Sequence, residues 1–162
     1  MSTEIILADY ANREHAKAIG YLMNSYARDP FGGGSALPGE ISETIAQELG
    51  KRSYAFTFLC FVDSYAVGLM NCFEMFSTFA CKPIVNIHDV VVLEDYRGRG
   101  LSSEMLKACE AEAIKRGCSK LTLEVLSNNH VAKSSYRKFG FSDYVLDPKH
   151  GHALFWQKAI NK

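Results

Sequence analysis

A chain of 162 residues with 48% hydrophobic and 22% charged side chains reads as one globular domain, residues 1–162, rather than a disordered polymer. Eighteen Lys and Arg against eighteen Asp and Glu leave a formal net charge of zero, which argues against a global grip on nucleic acid or an anionic membrane. Five cysteines, an odd count with no C-x-x-C pair, indicate neither a disulfide framework nor a zinc knuckle and suit a reducing cytoplasm.

The first residues, MSTEIILADYANREH, have no basic region before a long apolar run and do not read as a secretory signal. No uncharged apolar stretch reaches about 18 residues, so no transmembrane helix is expected. Residues 3–9 read as a strand. Residues 12–28 read as an amphipathic helix, with Ala16, Ile19, Leu22 and Met23 at helical spacing and Pro30 as its stop. The glycine- and proline-rich loop DPFGGGSALPGE follows, then a second helix over 40–52. Two β-type runs, 54–62 and 65–76, separated by Asp63-Ser64, predict a hairpin. The run 84–93 predicts another strand, whose centre, Val90, Val91 and Val92, is apolar on both faces as in a strand covered on both sides.

Leu101, Met105, Cys109 and Ala113 recur every four residues and predict a helix over 101–116, closed by Gly117. Residues 120–126 alternate as a strand. Residues 129–138 read as a helix closed by Gly140, and two short β runs, 141–146 and 152–157, end the chain. The order β-α-α-β-β-β-α-β-α-β-β, without repeats or a linker, predicts a mixed α/β domain.

The most informative stretch is VVVLEDYRGRGLSSEML. A strand ends near Leu93 and a tight turn feeds directly into a helix. The first N–H groups of a helix lack internal partners, and its dipole adds partial positive charge there. Gly98 and Gly100 permit a sharp turn and close approach of a ligand, Arg97 and Arg99 bring charge, and Ser102 and Ser103 bring hydroxyls. Together they suit a diphosphate or similar anion. Glycines that merely relieve strain are the competing explanation. The segment is neither a P-loop, having no G-K-[ST], nor the G-x-G-x-x-G dinucleotide fingerprint.

This segment resembles motif A of the GCN5-related N-acetyltransferase (GNAT) superfamily, Arg/Gln-x-x-Gly-x-Gly/Ala, as Arg97-Gly98-Arg99-Gly100-Leu101-Ser102, with Ser102 in place of the final small residue. Residues 129–141, NHVAKSSYRKFGF, resemble motif B of the same superfamily through Asn129, Ala132, Tyr136, Gly140 and Phe141. The resemblance covers 84–145 clearly and the N-terminal half more weakly. It implies a single GNAT-like domain of α+β type, its mixed central sheet splayed between the fourth and fifth strands, with helices on both faces.

The resemblance also implies acetyl-CoA as the acyl donor, with no metal. Its pantetheine arm would pair with backbone around Val90, Val91 and Val92. Its diphosphate would sit on the N–H groups of Gly98, Arg99, Gly100, Leu101, Ser102 and Ser103, beside Arg97. Asn129 would hold the pantetheine amides, and Tyr136, two helical turns further on, would protonate the departing thiolate. A Tyr136 that only packs is the alternative. For the base, His88 is inferred from its place on the strand and from the ordinary titration of imidazole near pH 6.5. Asp89 is the alternative base or a binder of a cationic acceptor. Neighbours on a strand face opposite ways, so only one of the two is expected to reach the cleft.

The expected reaction is acetyl transfer to a primary amine of a small molecule by direct attack on the thioester. Acetylation of a protein N-terminus or lysine, or a CoA-binding regulatory module without turnover, are the alternatives. The loop from Asp29 to Glu40, with Phe31 and three glycines, is expected to be mobile and to close over a small acceptor. Neither nucleic acid nor membrane is an expected partner. A homodimer is the commonest oligomer and frequent in the family. His150 and His152 read as a surface turn rather than a metal pair, and Lys115, Arg116 and Lys120 as a solvated face.

Overall fold

Asn12 begins the first helix for a local reason: its side-chain oxygen accepts the N–H groups of Glu14 and His15. The helix, α1, runs Arg13–Arg28 and buries Ala18, Ile19 and Leu22. A computed structural model describes this and the rest of residues 2–160. The chain falls into two compact units, Met1–Leu123 and Glu124–Lys162.

In the first unit, β1 (Thr3–Leu7), β2 (Ala55–Val62), β3 (Tyr65–Ser77) and β4 (Lys82–Val92) form an antiparallel meander. The β2–β3 hairpin turns at Asp63-Ser64, both at positive φ, as the sequence predicts. Helices α1 and α2 (Gly39–Gly50) cover one face, where Ile19, Leu22, Ala46 and Leu49 meet Leu59, Leu69 and Val91. Helix α3 (Leu101–Lys115) covers the other. The four residues that predicted it, Leu101, Met105, Cys109 and Ala113, are all buried, and Cys109 Sγ lies 3.7 Å from Cys72 Sγ of β3.

Strand β5 (Leu121–Leu123) joins parallel to β4 at its free side and completes the sheet order β1-β2-β3-β4-β5. It is shorter than the seven residues expected and pairs only with Val85, Asn86 and Ile87. The pairing of the two strands stops at Ile87 and Leu123. Val90 and Val92 are only half-buried, whereas Val91 fills the core.

Two further expectations about the fold differ from the structure. Arg116 is not part of a solvated face: it bonds Glu112 and Glu74 and lies 4.1 Å over the Phe56 ring. In the second unit α4 (His130–Phe139) forms as predicted and closes on Gly140, but 141–146 and 152–157 are not strands; a short 3-10 turn, Pro148–His150, interrupts them. An alternating run becomes a strand only where a neighbour takes its N–H and C=O groups. Among the described residues the sheet ends at β5, and Leu154, Phe155 and Trp156 stay exposed. No described helix is long and apolar enough to cross a membrane.

Helices α1 and α2 lie close together at Gly20, where a Cβ would collide with the backbone oxygen of Ser42. Gly20→Ala improves helix propensity by about 1 kcal/mol, but forcing a backbone apart costs about 1–3 kcal/mol. We expect a net fall in Tm by thermal unfolding. A rise in Tm would show that the helices move apart freely.

Candidate active site

Strand β4 positions most of the site. Leu93 donates its N–H to Val67 O, so Leu93 and Val91 exchange hydrogen bonds with β3, and the alternation of an antiparallel ladder turns the N–H and C=O of Val90 and Val92 to the opposite edge. That edge is the one β5 leaves after Ile87. Of the three valines, then, Val91 has its backbone committed to β3 and its side chain to the core. Val90 and Val92 turn their backbone groups to that edge, where Val92 O already accepts from Arg97 Nε.

The β4 strand runs on through a 3-10 turn, Glu94–Tyr96, into Arg97 and the glycine turn. Gly98 and Gly100 both take left-handed backbone, φ 75° and 78°, and Gly100 is the N-cap of α3 with no side-chain cap bond. No atom stands within 4 Å of where a Cβ would be at either position, so conformation rather than crowding requires glycine there. The first N–H groups of α3 therefore start at an uncapped helix end, suited to an anion. The two arginines of this turn are folded back. Arg97 donates from Nε to Val92 O at 3.1 Å and from its guanidinium to Asp29 at 2.7 Å. Arg99 donates to Asp95 O at 2.8 Å and stacks 4.9 Å over Tyr96.

On the α1 face of the sheet the register carries the chief surprise. Asn71 of β3 stands opposite Asp89, but Cys72 stands opposite Ile87, so β4 bulges at His88. A bulge sets two residues against one. His88 and Asp89 consequently do not face opposite ways, as strand alternation predicts. The His88 ring packs 5.1 Å from Phe73, and Asp89 accepts from Asn71 at 2.9 Å. Phe73 and Asn71 are two apart on β3 and share the face that α1 covers.

Tyr26 of α1 belongs to the same environment. Burial, and then the charges of Asp89 and Asp29, push its phenol above the ordinary value. The loop after α1 is tied down rather than free. Asp29 accepts from Phe31 N–H through its carboxylate and from Gly32 and Gly34 through its carbonyl, and Leu37 N–H is held by Asn24. A Cβ at Gly32 would collide with the Tyr26 carbonyl, so the loop lies flat against the helix end.

In the second unit Asn129 is the N-cap of α4, accepting from Ala132 N–H at 3.2 Å. Asn129, Ala132, Tyr136 and Phe139 are half-buried along one face, and the Tyr136 ring meets Phe141 edge-on at 5.9 Å. Among the described residues no three His, Cys, Asp or Glu side chains gather as for a metal ion.

Sequence reading did not single out Thr57, Asn71, Tyr10 or Tyr26. A signal for two of them existed: Asn71 and Thr57 are isolated polar residues inside apolar strands, LMNCF and AFTFL. Tyr26 had none, because an aromatic on the apolar stripe of a helix reads as core.

A meander on which a bulged fourth strand runs into a glycine turn and helix, and pairs with a parallel fifth strand only as far as Ile87, defines an acyltransferase-type α/β fold. Residues 9–141 match the model of the Acetyltransferase (GNAT) family, and the chain belongs to that family. Thialysine N-epsilon-acetyltransferase of Bos taurus is 36% identical over 59 residues, covering 36% of this chain and 35% of that one. N-alpha-acetyltransferase MAK3 of Arabidopsis thaliana is 30% identical over 114 residues, covering 62% and 58%. The chain thus spans about a third to three-fifths of the length of these curated relatives. The aminoglycoside N-acetyltransferase AAC(6')-Iy, solved with CoA, shares the fold with TM-score 0.76 and 16% identity, over 98% of this chain and 96% of that one.

The Asp29–Arg97 pair links the loop to the glycine turn. The Phe31 N–H, and then Arg97, hold the Asp29 carboxyl below its ordinary value. A depressed carboxyl contributes stability above its unfolded value of about 3.9 and loses that contribution as pH falls through the folded value. Arg97 is half-exposed, so the pair is worth about 1 kcal/mol or less. Asp29→Asn should lower Tm at pH 7 by at most about 2–4 °C, with the gap shrinking below about pH 4. An equal gap at pH 3 and pH 7 would remove the charge from the explanation.

Proposed function

We propose that the protein is an acetyl-CoA-dependent N-acetyltransferase acting on a primary amine of a small molecule. The observation that carries this reading is on β4. Its outward backbone at Val90 and Val92 leads directly into the uncapped helix end, and its bulge puts two titratable side chains on the opposing α1 face.

Acetyl-CoA supplies an acetyl thioester to an attacking amine. The N–H groups from Gly98 to Ser103 bind its diphosphate, and Val90 and Val92 hold its pantetheine amides. Asp89 or His88 takes the proton of the incoming ammonium, directly or through water, so that nitrogen can attack the carbonyl carbon. A C–N bond forms, the C–S bond breaks, and the attacking nitrogen releases its second proton to solvent, which offsets the proton taken up by the thiolate. Tyr136 is assigned the transfer of a proton to the departing thiolate on its motif match, and Asn129 the support of the pantetheine. A small cationic acceptor is favoured by Asp89 and Tyr26 beside the short, tied loop after α1, which offers no broad platform for a peptide.

Acetylation of a protein N-terminus is the second reading, favoured by the likeness to the Arabidopsis N-alpha-acetyltransferase, the longer of the two sequence matches given above. Labelled acetyl-CoA offered to a panel of primary amines (ethanolamine, 1,5-diaminopentane, glucosamine, lysine) and separately to lysate proteins decides between them. We expect label in the amine arm. Label in the protein arm alone, at enzyme-like rates, would overturn the small-amine reading, and label in neither would overturn turnover itself. With an active amine, Tyr136→Phe should lower kcat by about 10²–10⁴-fold and leave acetyl-CoA affinity unchanged. An unchanged kcat would assign Tyr136 to packing.

A further inference from the structure

Two polar side chains, Thr57 and Asn71, are completely buried within the face that α1 covers, between the apolar Leu59 and Leu69 of their own strands. A face that served only cohesion would carry apolar residues there, because a buried polar group gains nothing unless it is bonded. Here the bonds form one directed line. Thr57 donates its single hydroxyl proton to Asn71 Oδ1 at 2.7 Å. Its oxygen is then the acceptor for Tyr10, whose hydroxyl lies at 2.8 Å. With Asn71 Oδ1 engaged by Thr57, the amide nitrogen faces the other way and donates to Asp89 Oδ2 at 2.9 Å. The same nitrogen lies 3.3 Å from Met23 Sδ, which pins the amide against α1. A flipped amide would aim its oxygen at the carboxylate, acceptor against acceptor, so Thr57 and Tyr10 enforce the orientation that Asp89 requires. Asn71 and Asp89 are also direct cross-strand partners, so the backbone fixes their separation. His88 has no such support: it is the exposed residue of the bulge and rests on Phe73.

We propose that Asn71, oriented by Thr57 and Tyr10, is a positioning residue that holds Asp89 by Oδ2 and leaves Oδ1 to receive the acceptor ammonium, so that Asp89 rather than His88 engages the amine. This rests on the reading that the α1 face of β4 takes the acceptor. Thr57 and Asn71 touch neither substrate; they act through the carboxylate. Thr57→Val keeps shape and removes the hydroxyl, whereas Thr57→Ser keeps the hydroxyl.

The test pairs two readouts. With an amine that the panel shows to be active, Thr57→Val should lower kcat/KM for the amine at least tenfold with KM for acetyl-CoA unchanged, Thr57→Ser should restore it to within about threefold of wild type, and Tyr10→Phe should fall between. In parallel, the Asp89 carboxyl signal in carbon NMR, located by Asp89→Asn, should move when the panel amines are titrated into the wild type and Thr57→Ser but not into Thr57→Val. If Thr57→Val changes only Tm, with kcat/KM and the carboxyl response as in wild type, Asn71 is structural and the proposal falls. A carboxyl signal that ignores every amine while the enzyme turns over assigns the acceptor to another group, and the proposal falls again. An enzyme without turnover whose Asp89 signal still follows amine in a Thr57-dependent way would sink the acetyltransferase reading while upholding this one.

Discussion

The structure depends on a mismatch of lengths: β4 is eleven residues long and β5 only three. Backbone N–H and C=O groups demand partners, and β3 pairs with one side of β4 along its length except at the His88 bulge. On the other side β5 stops at Ile87, and from there the polar groups of alternate residues face outward. The chain then turns at Gly98 and Gly100 into the uncapped end of α3. An extended, amide-bearing ligand with a terminal diphosphate is the kind of molecule that we propose this backbone receives.

The same strand serves both faces of the proposed reaction because of its bulge. One extra residue at His88 shifts the alternation, so that Asp89 meets Asn71 while Ile87 stays opposite Cys72 and faces α3. Without the bulge, the apolar residues on either side of it could not all stay in the core. The buried line from Tyr10 to Asn71 and the pair from Asp29 to Arg97 then tie the strand to the segments flanking α1. The glycine turn and the loop after α1, the proposed donor and acceptor segments, are thus tied to one strand, though each bond is modest in strength.

Much of this was legible in the sequence where a local rule governs. Pro30, Gly117 and Gly140 follow helix ends, and the four-residue spacing of Leu101, Met105, Cys109 and Ala113 marks a buried stripe. The glycine turn and the Asn129-to-Gly140 pattern pointed to the family that the comparison bears out. What escaped depends on partners distant in sequence. The bulge at His88 exists only relative to β3, so no reading of VNIHDVVV alone could reveal that His88 and Asp89 share a face. Asn71 and Thr57 looked like ordinary strand residues because their bonds span 14 to 47 positions. The terminal β runs had the alternation of strands, yet alternation states only which residues could face a core, not that a neighbouring strand exists.

The central claim is that β4 offers Val90 and Val92, but not Val91, to the donor. Residue-resolved amide hydrogen exchange, with and without saturating CoA, tests it most directly. The account predicts that CoA slows exchange at Val90 and Val92 and across Gly98–Ser103, while Val91, already bonded to β3, is nearly unchanged. Protection that left Val90, Val92 and the glycine turn unaffected and appeared elsewhere in the chain would contradict it.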